Sequence, residues 1–313
     1  MKILELAIML VFLITIPIVI LVDRNMDLSA DAKSKKSAEE YVRYGDELFN
    51  KGRLYYNDAS IQYWEALKQN PKLAGARFRL AEIYYEYIWN NETIYQLEEL
   101  KKINPEFPGL HLLMGKTYNR MGDNNKAFMA FQNAIAIKPS DAEAYYYLGT
   151  IYQQRNVEED AIRAYEAAVL FLSSQTGESN AESVVKAYTQ LGRIYKGRKE
   201  LEKSEYAFRK AFEIDPSSVE VISELKNLYE QEAGIFKSQK KFDEAAKKYE
   251  EMLKLDPDNS ENSWIYVELG SIYRSQELYN KAITAYSMAA KLDPLNYDAF
   301  SAIKELKILK ESN

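Results

Sequence analysis

The 313-residue chain has no cysteine and a single histidine, His111. Without thiols there is no disulfide scaffold, no thiolate zinc site and no cysteine nucleophile. The compartment stays open, because a cysteine-free chain is at home on either side of a membrane. One imidazole removes most metal sites and the common acid–base dyads. His111 itself is expected to be structural, since no co-ligand or catalytic partner stands beside it in the pattern. Neither a G-x-x-x-x-G-K-[ST] run nor a G-x-G-x-x-G run occurs, so nothing speaks for nucleotide phosphates. Positive charge is not in excess: 41 Lys and Arg face 47 Asp and Glu, a net charge of −6. A broad nucleic-acid surface would be basic, so that partner is not expected. Acidic runs such as Glu158-Glu159-Asp160 fit solvated helix faces better than carboxylate dyads. The chain is expected not to be an enzyme, with no cofactor, metal or small-molecule substrate.

What is present is ordinary globular material, 47% hydrophobic and 28% charged, which excludes wholesale disorder. It follows one exceptional segment. Leu6 to Val22 is an uncharged apolar run of seventeen residues, extended to twenty by Ile3 and Leu4 across Glu5. Twenty helical residues span roughly the 30 Å hydrocarbon core of a bilayer, whereas a secretory apolar region usually has about 7–15 residues. Residues 1–22 are therefore expected to be a single-pass membrane anchor. A signal segment cleaved at Ala30-Asp31-Ala32 is the alternative. Residues 23–37 are polar and without helical periodicity, as in a flexible tether. The short basic tail around Lys2 resembles an export signal, which would place the soluble part on the extracytoplasmic, periplasm-like side. A bare count of flanking positive residues points the other way.

Beyond residue 37 one pattern recurs. Pro71, Pro105, Pro139, Pro216, Pro257 and Pro294 each follow an amphipathic helical stretch, and the first three are 34 residues apart. In 108–141 the pattern reads Met114-Gly115, Tyr118, Gly122, Ala127, Phe131, Ala134 and Pro139. In 142–175 it reads Leu148-Gly149, Tyr152, Ala161, Tyr165 and Ala168. In 185–218 it reads Leu191-Gly192, Tyr195, Phe208, Ala211 and Pro216, and in 263–296 Leu269-Gly270, Tyr273, Ala282, Tyr286, Ala289 and Pro294. This resembles the tetratricopeptide repeat, whose period is 34. Three looser copies lie at 38–73, 74–107 and 226–259. The second has Leu97 at the aromatic position, and the third has Glu232 where an apolar residue is usual.

The resemblance implies an all-α, right-handed superhelical solenoid of about seven helix-turn-helix units. Units 1–4 would occupy 38–175 and units 5–7 would occupy 185–296, with a cap helix and tail over 297–313. Each unit pairs a helix A, carrying Leu-Gly-x-x-Tyr, with a helix B, carrying Ala-x-x-x-Phe/Tyr-x-x-Ala. Neighbours must stack to bury their apolar faces. Small residues such as Gly149 would let the helices approach, and aromatics would fill the space between them. Residues 176–184 read as a spacer loop between two blocks. The 41-residue interval from Pro216 to Pro257 predicts a helix lengthened around 219–239.

The resemblance also implies a concave groove lined by helix A, which in such solenoids receives an extended peptide or a helix. Counted onto this chain, it offers Phe78, Arg79 and Tyr85 from the second unit. Leu112, Leu113, Lys116, Asn119 and Arg120 come from the third, and Tyr146, Tyr147 and Gln153 from the fourth. Lys186, Gln190, Arg193 and Lys196 come from the fifth. An apolar centre flanked by cations suits an acidic partner segment with apolar anchors. The Lys/Asn/Arg carboxylate clamp of chaperone-binding relatives is absent, with Val42 and Asp46 at its first two positions.

The expected function is that of a membrane-tethered scaffold or adaptor that binds a partner protein and assembles or recruits a membrane-associated complex. Two alternatives stay open. One is a self-associating architectural subunit. The other is a non-catalytic regulatory subunit of an envelope secretion or polymer-synthesis machine.

Overall fold

A computed structural model describes residues 36–171, 178–257 and 259–312. Among them are fifteen α-helices and no strand. They form seven consecutive pairs: α1 (Ala38–Asn50) with α2 (Tyr56–Gln69), α3 (Ala74–Glu86) with α4 (Asn90–Ile103), and α5 (Leu110–Arg120) with α6 (Asn124–Ile137). Next come α7 (Ala142–Gln154) with α8 (Glu158–Leu170), α9 (Glu178–Gly197) with α10 (Leu201–Ile214), and α11 (Val219–Ser238) with α12 (Phe242–Leu255). The last pair is α13 (Ser263–Ser275) with α14 (Tyr279–Leu292), and α15 (Tyr297–Ser312) follows it. No described helix is long and apolar enough to cross a membrane. The apolar run 6–22 and all but the last two residues of the tether lie outside the described residues.

Local chemistry sets the joints within each unit. From the second unit on, helix A ends with one residue in the left-handed region: Ile88, Gly122, Asn156, Lys199, Lys240 or Glu277. The next amide then donates back to an aromatic carbonyl of helix A, as from Trp89 to Tyr84 and from Val157 to Tyr152, both at 2.9 Å. That bond satisfies a carbonyl which the helix end would otherwise leave open.

Joints between units use proline. Asn70, Asn104, Asp215 and Asp293 precede Pro71, Pro105, Pro216 and Pro294, and proline disfavours helical backbone in the residue before it. Each of the four side chains accepts from the amide two residues on, at 3.0–3.1 Å. Asp141 then caps α7 by accepting from the amide of Ala144.

Packing follows the repeat. A β-carbon on Gly45, Gly115, Gly149, Gly192 or Gly270 would fall 2.5–2.8 Å from the ring of Tyr63, Phe131, Tyr165, Phe208 or Tyr286 of the same unit. Glycine therefore lets helix B's ring lie on helix A's backbone. In the second unit Ala81 replaces the glycine and the smaller Leu97 replaces the ring, and both are fully buried.

The apolar clusters straddle the joints between units. Ala127 and Phe131 pack with Ala144 and Leu148, and Ala161 and Tyr165 with Ala187 and Leu191. The second of these clusters bridges the expected break after the fourth unit. The expected spacer also differs: Thr176 and Gly177 lie outside the described residues, but from Glu178 the chain is already helical. Ser183 and Val184 are buried there, so this stretch packs rather than loops. Helices α9 and α11 each run 20 residues, against 11 to 14 for the other helices of the seven pairs.

Candidate functional site

Helix A of each unit touches helix A of the next through the middle of the chain, and one face of this row carries polar side chains from unit to unit. Arg79 lies 3.8 Å from Asp46 and binds Glu82 at 2.8 Å. Lys116 binds Glu143 at 2.8 Å. Arg193 binds Glu220 at 2.9 Å and Glu224 at 2.7 Å, and Lys196 shares Glu224 at 2.7 Å. Further along, Lys237 binds Glu268 and Arg274 binds Glu305. Burial pushes the Glu224 carboxyl up, and the two cations overcome this and hold it below its ordinary value. Glu224 is thus a fixed counter-charge.

These carboxylates change the picture drawn from sequence. Arg79, Lys116, Arg193 and Lys196 are not free cations; each is neutralised, mostly by an acid on a neighbouring helix A. Lys186 pairs with Glu182 one turn before it. Among the described residues Arg120 has no carboxylate partner: it donates to the Tyr85 carbonyl at 2.6 Å and lies 3.6 Å over the Tyr85 ring. The acids Asp46, Glu143, Glu220 and Glu224 were missed. Their signal was available, since Glu143 stands one repeat length, less seven residues, beyond Lys116.

Not every expected groove residue faces the groove. Leu113 is buried among Leu110, Met114 and Leu100, while Phe78 packs on that cluster beside Phe107, ring centroids 5.1 Å apart. Leu112 packs against the next cluster along. Tyr147 stacks on Phe131 with centroids 5.0 Å apart. Gln153 is exposed and accepts from the Tyr165 hydroxyl at 3.0 Å, while Asn119 and Gln190 are half-buried. Burial pushes the Tyr165 hydroxyl up to about 12.

One region gathers several of these side chains. The Lys116 ammonium lies 5.5 Å over the Tyr85 ring as well as on Glu143. The half-buried Tyr147 hydroxyl has its pKa raised, by desolvation first and then by Glu143, Tyr85, Tyr146 and Glu182. Lys186 feels Tyr146 and Glu143 besides its own Glu182. Contacts thus link side chains of the second, third and fourth units here, through Tyr85, Lys116 and Glu143, and the Glu182–Lys186 pair of the fifth unit acts on them through its charges. Glu182 reaches this centre because α9 starts early.

Two other polar features serve the fold. His111 is buried, and its Nε2–H donates to the Pro105 carbonyl at 2.9 Å. In the unit before, Arg77 makes the same bond to the Pro71 carbonyl at 3.0 Å. Glu232, at the apolar position, is buried and bound to Lys248 at 2.7 Å; Lys248 also binds Glu205 at 2.8 Å. Burial raises the Glu232 carboxyl more than Lys248 lowers it. Among the described residues no three His, Asp or Glu side chains group as a metal site.

Comparison with known proteins agrees with this geometry. A TPR repeat model matches residues 115–156, and tetratricopeptide repeat models match 185–218 and 235–297. Curated proteins gave no match. Among solved structures, the chain is similar to the C-terminal part of a TPR repeat-containing protein from Cytophaga hutchinsonii. The two are 20% identical over 84% of this chain and 99% of that one, with a TM-score of 0.60. It is also similar to a crystal structure of MamA, at 25% identity over 55% of this chain and 94% of that one, with a TM-score of 0.46. A tetratricopeptide repeat protein from Parabacteroides merdae is 17% identical over 86% of this chain and 98% of that one, with a TM-score of 0.48. The chain carries tetratricopeptide repeats, and its described residues fold as an all-α superhelical solenoid of that kind.

Proposed function

We propose that the chain is a non-catalytic scaffold that holds a segment of a partner protein against its helix A face, and so assembles or recruits a membrane-associated complex. The supporting observation is the contact of Tyr85, Lys116 and Glu143 across three successive units, with the Glu182–Lys186 pair of the next unit acting on Tyr147 and Glu143 through its charges. Such a centre offers aromatic surface beside hydrogen-bonding charges of both signs, the composition of a binding hot spot. Its cations are already paired, so a partner's carboxylates must displace Glu143 or Glu182, or use Arg120. The favoured partner therefore presents apolar anchors with both charge signs, in place of the acidic segment with apolar anchors expected from sequence.

Capture of partners from native membranes tests this. An Arg120→Glu/Lys186→Glu variant is compared with Met129→Glu, which changes an exposed residue on a helix B. Loss of one captured protein with the first variant and its retention with the second is expected. Equal capture by both sinks the groove.

A further inference from the structure

The turns between helix A and helix B are versions of one structure, so each is a control for the others. From the second unit on, the left-handed tip residue is Gly122, Asn156, Lys199, Lys240 or Glu277, with a single exception, Ile88. A β-branched residue is strained in that conformation, and the Ile88 side chain is 66% exposed. In the first unit the turn is built differently, around Gly52, and presents Leu54 at 95% exposure. Trp89 and Tyr55 stand beside these two, 43% and 41% exposed. Water would favour polar residues at both tips; the other tips are glycine or polar, and beside them Val157 and Leu278 are 40% and 39% exposed, so Ile88 and Leu54 are what set this edge apart. An apolar patch of this kind marks an interaction surface.

The two turns form one edge. Tyr56 lies 6.4 Å from Tyr87, edge to face, and Arg53 donates to the Glu86 carbonyl at 3.5 Å. Behind the tips the rings are continuous: Phe49 stacks on Tyr56 at 5.0 Å, and Tyr87 meets Trp89 at 5.5 Å. The edge is thus preorganised, with Lys51 placed over the Tyr55 ring at 5.6 Å.

We propose that this edge of the first two units lies on a lipid bilayer. Leu54 and Ile88 enter the acyl boundary, Trp89 and Tyr55 sit at headgroup level where indole and phenol rings collect, and Lys51 and Arg53 face lipid phosphates. Chain order supports a bilayer over another occupant. The uncharged run 6–22 read as a membrane anchor precedes these units directly, joined to α1 by residues 23–37. Fifteen residues can reach at most about 50 Å, against about 20 Å for the length of α1, so an anchored first segment would keep the edge within reach of the bilayer. This placement rests on the anchor reading of the first segment.

The absence of cysteine makes the test clean. Full-length Leu54→Cys and Glu277→Cys variants are each labelled with an environment-sensitive nitrobenzoxadiazole dye and mixed with phosphatidylcholine–phosphatidylglycerol vesicles. Leu54 is too exposed for the label to disturb folding. A blue shift and an emission rise of about twofold at position 54, with none at 277, is expected for entry into the interface. Adding Ile88→Glu should abolish the rise while the chain still floats with the vesicles. Equal emission at both positions on floating chains overturns the edge and leaves the anchor standing. Chains that do not float overturn both. A rise without vesicles that grows with protein concentration assigns the edge to a second copy and overturns the bilayer.

Discussion

The Tyr165 ring lies on the backbone of Gly149 so closely that a β-carbon there would fall 2.6 Å from it. The contact is inside one unit, between α7 and α8, and recurs in four other units. Gly149→Ala should therefore cost about 1–3 kcal/mol by overpacking. Tyr165→Leu, which copies the Ala81/Leu97 arrangement, should relieve that clash. The double variant is expected to lose at least about 0.5 kcal/mol less than the two single losses added. Denaturant unfolding of all four proteins checks this, and strict additivity would refute it.

Ile88 offers the opposite effect. Its left-handed backbone is costly for a β-branched residue, and Asn156 holds the equivalent place in the fourth unit. Ile88→Asn should stabilise by about 1 kcal/mol. That corresponds to a melting shift of roughly 2 °C for a chain of this size. The same substitution should weaken vesicle contact, so stability and membrane contact move in opposite directions. A melting temperature that stays put or falls would refute the strain.

Lys248 holds the buried carboxylate of Glu232 and the half-buried one of Glu205, which also pairs with Arg209 at 3.3 Å. Lys248→Met strands Glu232 and should cost about 3 kcal/mol, whereas Glu232→Leu leaves Lys248 paired and should change stability by less than about 1 kcal/mol. The raised folded-state value of Glu232 means the native chain binds its proton more readily than the unfolded chain does. This group therefore favours folding at low pH, and that contribution is lost as pH rises through the raised value. Urea titrations across mildly acidic pH should show the wild type losing stability relative to Glu232→Leu as pH rises, and a constant difference between them would refute it.

His111 carries the reverse sign. Burial lowers its value, against a smaller upward pull from the Pro105 carbonyl, so the folded chain keeps it neutral. Its contribution is fully present above the ordinary histidine value and is lost as pH falls through the lowered one. The melting temperature of the wild type should drop more between about pH 7.5 and about pH 5.5 than that of His111→Gln. An identical drop in both would mean that other groups govern the acid limb.

The helix pairs were legible because their determinants are local and repeated. Gly149 and Tyr165 stand 16 residues apart, as do Gly115 with Phe131 and Gly270 with Tyr286. What escaped was set by neighbours in space. Lys116 reads as a free cation until Glu143 is seen on the next helix A, and Glu232 reads as a misfit until Lys248 arrives from α12. Leu113 falls inside the core because it packs with Leu100 of α4 and with Leu110, a contact that the repeat register alone does not show. The stretch from Glu178 looked like a loop because it is polar, yet every fourth residue or so, Val184 and Ala187 among them, meets the core.

The two kinds of contact respond differently to salt. Rings seated on glycine are hard, short-range contacts inside five of the seven units, insensitive to ions. The carboxylate–cation ties from Asp46–Arg79 through Lys116–Glu143 and Lys196–Glu224 to Arg274–Glu305 run between units, partly in solvent, where salt screens them. Raising ionic strength should therefore weaken the polar ties between units while the apolar seams across the joints and every helix stay in place.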